Sequence, residues 1–326
     1  MKYTSIIKRD MEISQPDGSI IHVVEYLPDG VPSTEVKTVL QYIPGSFEHA
    51  EMSHIKELAQ HMVAEYGHAV IIPENPGHGL STNTAGVPYY FEGIEVVVEN
   101  HRQVCQMLRE KYLNAKIACV GFSFGSVVAK MAIMKYPNLF DGAALLGSSH
   151  QNQIEVNIAI LIAKLAAKLA GGYDKPSVLI DKLTDYGPDL AKKLSKQQNK
   201  KITAKGPFFW ICSHVIGREA FEREVLGDGR MRVGMFASMM DGMKFTAIQE
   251  NINQIPEGFK IFFGSGEMDP AGNYCQGVFE AQQAFEKAGA DVTVCIYKGC
   301  FHAILAEECA QSVYANLGKW AKELGR

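Results

Sequence analysis

Gly121-Phe122-Ser123-Phe124-Gly125 joins two stretches of different character. Before it, Lys116-Ile117-Ala118-Cys119-Val120 is short, apolar and partly β-branched, the signature of a buried strand. After it, Ser126 to Lys135 carries apolar residues at helical spacing and is stopped by Pro137. A Gly-x-Ser-x-Gly between strand and helix puts the serine on a sharp, strained turn with its Oγ exposed. Glycines two residues to either side let the neighbouring segments pass close together. The amides at the start of the following helix favour developing negative charge. The pentapeptide alone arises by chance in about one chain in ten of this length. An ordinary strand-to-helix turn that happens to hold a serine is therefore the bland alternative, and what lies downstream decides between the two.

Working outward, strands and helices alternate. Strands are expected at Tyr3–Lys8 and Ile20–Tyr26 around a Pro16-Asp17-Gly18 turn, then at 38–43, 69–73, 116–120 and 142–146. Helices are expected at 53–66, 91–112 and 124–136. After a long interruption the rhythm returns, with strands at 259–263 and 292–297 and helices at 276–288 and 303–322. Alternation of this kind predicts an α/β fold, a mostly parallel sheet with helices on both faces and ligands at the carboxyl ends of its strands. The expected division is a core of residues 1–147 and 257–326, with 148–256 inserted as a helical cap or lid. Within that insertion, 154–170 is strongly apolar, but Lys164 and Lys168 interrupt it and it is too short to span a bilayer. It reads as an amphipathic helix packed on something apolar by its broad hydrophobic face. A methionine-dense run (Met231, Met235, Met239, Met240, Met243) follows, suited either to packing or to an adaptable apolar pocket.

Bulk properties exclude several classes. At 326 residues, 47% hydrophobic and 21% charged, the chain has ample core for a globular protein. The net charge of −4 comes with no basic stripe, so nucleic acid is not an expected partner. Seven cysteines, an odd number without a Cys-x-x-Cys pair, predict a reduced, cytoplasmic protein with neither disulfide framework nor zinc site. The first residues lack the pattern of a secretory signal. The Gly-rich stretch Glu74-Asn75-Pro76-Gly77-His78-Gly79-Leu80-Ser81 lacks the Gly-Lys-Ser/Thr ending of a phosphate loop. No cofactor and no metal are expected.

A nucleophilic serine needs a base, and the base needs a carboxylate to orient it. Both stand at the ends of later strands. Strand 259–263 runs into Gly264-Ser265-Gly266-Glu267-Met268-Asp269-Pro270, which holds two acids; Asp269 is preferred, with Glu267 as the alternative. Strand 292–297 runs into Lys298-Gly299-Cys300-Phe301-His302. Ser123, acid and His302 thus fall in the chain order of doubly wound hydrolases. Two backbone donors for an oxyanion are expected, the N–H of Phe124 and that of Ser46 in the loop Pro44-Gly45-Ser46-Phe47-Glu48-His49. His78 is read as bracing a loop; His49 and His150 are offered as pocket residues.

Pro44-Gly-Ser-Phe-Glu-His-Ala50, Pro76-Gly-His-Gly-Leu-Ser81, Gly121-Phe-Ser-Phe-Gly125, Gly264 to Tyr274 and Gly299-Cys-Phe-His302 together resemble the α/β-hydrolase superfamily. The likeness is to its monoacylglycerol lipase/lysophospholipase-like branch, also grouped as serine aminopeptidase-like (S33-type) hydrolases. The resemblance implies Ser123 as nucleophile, Asp269 as acid, His302 as base, and the Ser46 and Phe124 amides as oxyanion hole. Two departures stand out: Pro44 where the family has His, and Glu74 where it has Asp. The expected activity is hydrolysis of a carboxylic ester with an apolar acyl chain, such as a monoacylglycerol or lysophospholipid, with transient contact at a membrane surface but no span. The alternatives are an aminopeptidase, with Glu48, Glu222 or Glu224 holding the substrate's amine, and a non-catalytic receptor with a hydrolase fold.

Overall fold

The computed structural model describes residues 3 and 5–325. Strands β1 (Ile6–Ser14) and β2 (Ile20–Pro28) pair antiparallel across the 16–18 turn. That turn is set by Gly18 at φ 85° and by Asp17 Oδ1, which accepts from Ser19 N–H and Oγ–H. β1 runs further than the 3–8 stretch expected for it, continuing through Lys8-Arg9-Asp10; Thr4 of that stretch lies outside the described residues. β1 is an edge strand with one solvated side, so charged residues are tolerated along it while Met11 and Ile13 turn inward.

From there the alternation unfolds: β3 (Thr38–Ile43), α1 (Ser53–His61) prolonged by a π-helical turn at Met62–Tyr66, β4 (Ala69–Pro73), α2 (Ile94–Lys111), β5 (Lys116–Phe122), α3 (Phe124–Lys135) and β6 (Gly142–Leu146). The helices α4 (Gln153–Ala170), α5 (Val178–Thr184), α6 (Gly187–Gln198), α7 (Val215–Glu224), α8 (Val233–Thr246) and α9 (Gln249–Ile252) come next. Then follow β7 (Lys260–Gly266), α10 (Gln276–Lys287), β8 (Asp291–Tyr297) and α11 (Ala310–Leu324). The sheet order is β1-β2-β4-β3-β5-β6-β7-β8; β1, β2 and β4 meet antiparallel and every pair from β4 to β8 is parallel. β3, β4 and β6 are buried along their whole length because helices cover both faces. Val39, Ile43, Ile117 and Cys119 meet the α2, α3 and α10 side, and Leu40, Tyr42, Ala118 and Val120 the α1 and α11 side.

α11 begins later than the helix expected from 303. Residues 303–309 are held in turns instead, with the Ala303 N–H on the Ile211 carbonyl and the Ala306 carbonyl accepting from Cys212 Sγ and His214 Nε2. Glu307 fixes this corner, its carboxylate accepting from the N–H groups of Ser213 and Phe301 and from Ser213 Oγ. Tertiary bonds override local helical preference there.

The helical stretch between β6 and β7 shares its buried residues with the body: Leu190, Ala191 and Phe209 cluster with Met268 and Phe301. α8 packs on the body through Gly242, where a β-carbon would lie 2.3 Å from Ile94 Cδ1 and 2.8 Å from Val127 Cγ1. Met231, Met235 and Met240 are buried in the same core as α3. α4 lies on α8, but not by the face expected. Its buried side is Val156, Ala163, Ala166 and Ala167, while Ile154, Ile158, Leu161, Leu165 and Leu169 stand exposed. Small residues allow the closer approach of two helices, so the alanine side seats and the larger side chains are left outside. Among the described residues no helix is long and apolar enough to cross a membrane.

Candidate active site

β5 ends in the 121–125 turn, where Ser123 takes φ 52° and ψ −117°, a strained backbone for any residue with a side chain. The turn closes only because of its glycines. A β-carbon on Gly121 would sit 2.3 Å from the Gly125 carbonyl oxygen, and one on Gly125 would sit 1.9 Å from that of Ile43. The tightness lifts Ser123 clear of the sheet at the head of α3.

Two later strand ends deliver the partners. His302 Nε2 lies 2.9 Å from Ser123 Oγ, and His302 Nδ1 lies 2.8 Å from Asp269 Oδ2. With its Nδ1–H donated to the carboxylate, the imidazole presents the Nε2 lone pair to the serine hydroxyl. Asp269 is wholly buried, and its other oxygen accepts from the Ala271 N–H at 2.9 Å. Glu267, the other acid of the loop, lies apart and accepts from the Gly299 N–H. The imidazole is flanked by the Phe122 and Trp210 rings, with centroids 5.0 and 4.8 Å away.

The loop after β3 is fastened by buried polar groups. Glu48 accepts from the Gly45 N–H (2.7 Å), from Tyr42 Oη (2.9 Å) and from His54 Nε2 (2.6 Å). Burial and that carboxylate hold the Tyr42 hydroxyl well above its ordinary pKa. Ser46, the next residue of the loop, lines the same cavity as Ser123. The Ser46 carbonyl accepts from His78 Nε2 at 2.7 Å, so His78 braces the loop; burial lowers its pKa against the opposing pull of the Pro76 and Ser46 carbonyls. Behind Pro44 runs a second chain: Asn75 Nδ2 donates to the Pro44 carbonyl, Asn75 Oδ1 accepts from His101 Nε2, and His101 Nδ1 accepts from Gln41 Nε2. His101 is buried without a charged partner, which pushes its pKa down to about 3. Phe124 is the first residue of α3, so its N–H is one of the first-turn donors with no intrahelical partner.

Glu74, in the place of the family's Asp, clamps the neighbouring loop: its carboxylate accepts from the N–H groups of Ala50 and Leu80 and pairs with His22 Nδ1. Its extra methylene is accommodated beside Gly79, where no β-carbon would fit.

Above the serine opens a cavity of about 520 Å³, lined by Phe47, Phe122, Phe208, Trp210, Met239 and Met243 among others. Met231, Met239 and Met243 thus line the pocket, while Met235 and Met240 of the run pack the core. Of the three acids considered for an amine, Glu48 is spent on the β3 loop and Glu224 on Ser53, which leaves Glu222 on the cavity wall. His49 and His150 do not line the cavity; His49 instead bonds the Glu224 carbonyl. His101 and Lys130 escaped sequence reading, although each had a signal. His101 falls on the apolar stripe of α2 with Val97, Val98, Val104, Cys105 and Leu108, and Lys130 is the one charge of α3 before its last residue, Lys135.

A family model described as serine aminopeptidase, S33, matches residues 34–309. No curated protein matches the chain. Among solved structures, a highly thermostable carboxyl esterase from Bacillus coagulans in complex with glycerol superposes with a TM-score of 0.83 at 17% identity, over 99% of this chain and 100% of that one. A lipase in an open form superposes at 0.79 with 20% identity, over 98% and 100%. A soluble variant of monoglyceride lipase from Saccharomyces cerevisiae, in complex with a substrate analog, gives 0.66 and 16%, over 99% and 98%. At such identities the likeness establishes the fold, which is that of the α/β-hydrolases.

Proposed function

We propose that this chain, which belongs to the serine aminopeptidase S33 family, hydrolyses carboxylic esters through an acyl-enzyme on Ser123. The observation that carries the reading is the unbroken hydrogen-bond chain Ser123–His302–Asp269 opening into an apolar cavity. Ser123 Oγ attacks the ester carbon while His302 Nε2 takes the hydroxyl proton, and Asp269 stabilises the imidazolium that forms. The Ser46 and Phe124 N–H groups receive the oxyanion. The tetrahedral intermediate collapses as His302 returns the proton to the leaving alcohol. A water molecule, deprotonated by His302, then releases the carboxylic acid and restores Ser123.

The phenylalanine- and methionine-lined cavity favours an apolar acyl chain, as in a monoacylglycerol or lysophospholipid. In this reading residues 148–256 act as the cap over the strand ends, and the exposed Ile/Leu side of α4 suits transient contact with a lipid surface. The test is hydrolysis of p-nitrophenyl esters of increasing acyl length by the wild type and Ser123→Ala. Turnover that peaks at medium or long chains and falls by roughly a thousandfold or more in the variant is expected. Activity confined to acetate would overturn the acyl-chain assignment. Absence of both activity and fluorophosphonate labelling would leave a receptor. The family description makes an aminopeptidase the second reading, with Glu222 as the acid for a free amine; turnover of aminoacyl nitroanilides above that of esters would favour it.

A further inference from the structure

The face of α3 that meets the cavity runs from Ser123 through Ser126 and Val127 to Lys130. Seven residues of helix set Ser123 and Lys130 about 10 Å apart along the axis, and the lysine side chain leans back toward the helix N-terminus. Lys130 is buried, 4% exposed, on the cavity wall. Its ammonium has three donors and, among the described residues, a single acceptor, the Ser149 carbonyl at 2.7 Å. Among the described residues no carboxylate pairs with it, and burial lowers its pKa to about 8. Beside it the Ser148 hydroxyl, 3% exposed and also on the wall, has no hydrogen-bond partner among the described residues. The amide of Gln151, which bonds Ser149 Oγ, completes a polar corner of a cavity whose wall also carries Asp181, Asp185, Glu222, Asp228 and Arg230.

A buried cation bonded only to a neutral carbonyl is costly, because one such bond does not replace its hydration. The cost is offset if a ligand brings the missing negative charge. We propose that Lys130, with Ser148, receives an anionic group of the substrate, a carboxylate or a phosphate carried at a distance from the ester carbonyl. The preferred substrate is then an ester with an apolar spacer and an anionic end. This rests on the ester-hydrolase reading and adds a charge requirement that the apolar lining does not suggest. Lys130 touches the substrate's far end and is a specificity residue with no part in the proton transfers at Ser123.

The test compares matched pairs of substrates. Mono-p-nitrophenyl adipate and suberate against their methyl esters place the anion in the acyl part. Lysophosphatidic acid against monoacylglycerol places it in the alcohol part. Wild type is expected to favour the anionic member of one pair by roughly tenfold or more in kcat/KM, through KM. Lys130→Met should abolish that ratio and Lys130→Arg should restore part of it. The pair that responds tells which side of the ester carries the charge. An unchanged ratio in Lys130→Met, or a wild type that favours the neutral members of both pairs, overturns the proposal. Two further measurements separate it from a structural role and from failure of the ester reading. Lys130→Met should melt no lower than wild type, whereas a lysine needed as a strut for Ser149 would lower the melting point on removal. Calorimetric titration with suberate and with an alkyl phosphate asks about the anion site alone. Binding by wild type that Lys130→Met loses supports the site even if no ester is cleaved. Equal binding by both proteins, or binding by neither, overturns it.

Discussion

α3 and α4 are both apolar helices, and they meet opposite fates. From Phe124 to Met134 every residue of α3 is buried, because the helix is wedged between the sheet, α2 and α8. α4 is comparably apolar but buries only Val156, Ala163, Ala166 and Ala167, with Ile160 half-buried beside them, and leaves a stripe of isoleucine and leucine in solvent. Hydrophobicity alone therefore does not say which side of a helix is covered. On α3 burial is dictated by the strand and the serine turn that deliver it. On α4 it is dictated by how closely another helix can come.

The contrast predicts unequal responses to mutation. Val128→Asp puts a charge at a wholly buried point of α3 and should cost about 4 kcal/mol or more, enough to unfold the chain, as read from urea denaturation by circular dichroism. A stably folded variant would break the comparison.

α2, which packs on α3, gives it a pH-dependent form. His101 is neutral in the folded protein, with its pKa lowered from 6.5 to about 3 by burial. Below pH 6.5 the unfolded chain takes up a proton that the folded one refuses. The stability is thus full above that pH and falls as pH drops toward 3, by about 1.4 kcal/mol per pH unit. Denaturation midpoints between pH 7 and 4 should show this slope, and His101→Gln should flatten it. Parallel curves for the two proteins would remove His101 from the account.

The smallest effects belong to α4. Ala166→Leu, on its seated side, should cost about 1–3 kcal/mol by pushing the helix off α8. Leu161→Ser, on the open side, should stay within about 0.5 kcal/mol. Thermal melts of the pair would sharpen the assignment of faces, and a reversal of the order would sink it.

What the sequence disclosed follows the same division. The strands from β2 to β8 and the order of Ser123, Asp269 and His302 were legible because each rests on local pattern: apolar runs, turn glycines, and acids and histidine just past a strand. The geometry brings those three side chains into hydrogen-bond contact. Less legible was anything decided by tertiary contact. The helix start at Ala310 is displaced by bonds to 211–214, the face of α4 is chosen by α8, and the Gln41–His101–Asn75 chain joins residues from β3, α2 and the loop after β4. The place of Trp210 against His302 depends on a fold of the 207–212 stretch that no periodicity encodes.

Glu307 gives this architecture a mechanical property. One carboxylate grips the Ser213 backbone and hydroxyl on one side and the Phe301 amide, next to His302, on the other. The start of α7 and the loop that carries His302 are therefore tied through one side chain. The tie couples the position of α7 to that of Phe301, the chain neighbour of His302. Any breathing of the helical stretch that leaves His302 in register must bend elsewhere, and the tie is its fulcrum.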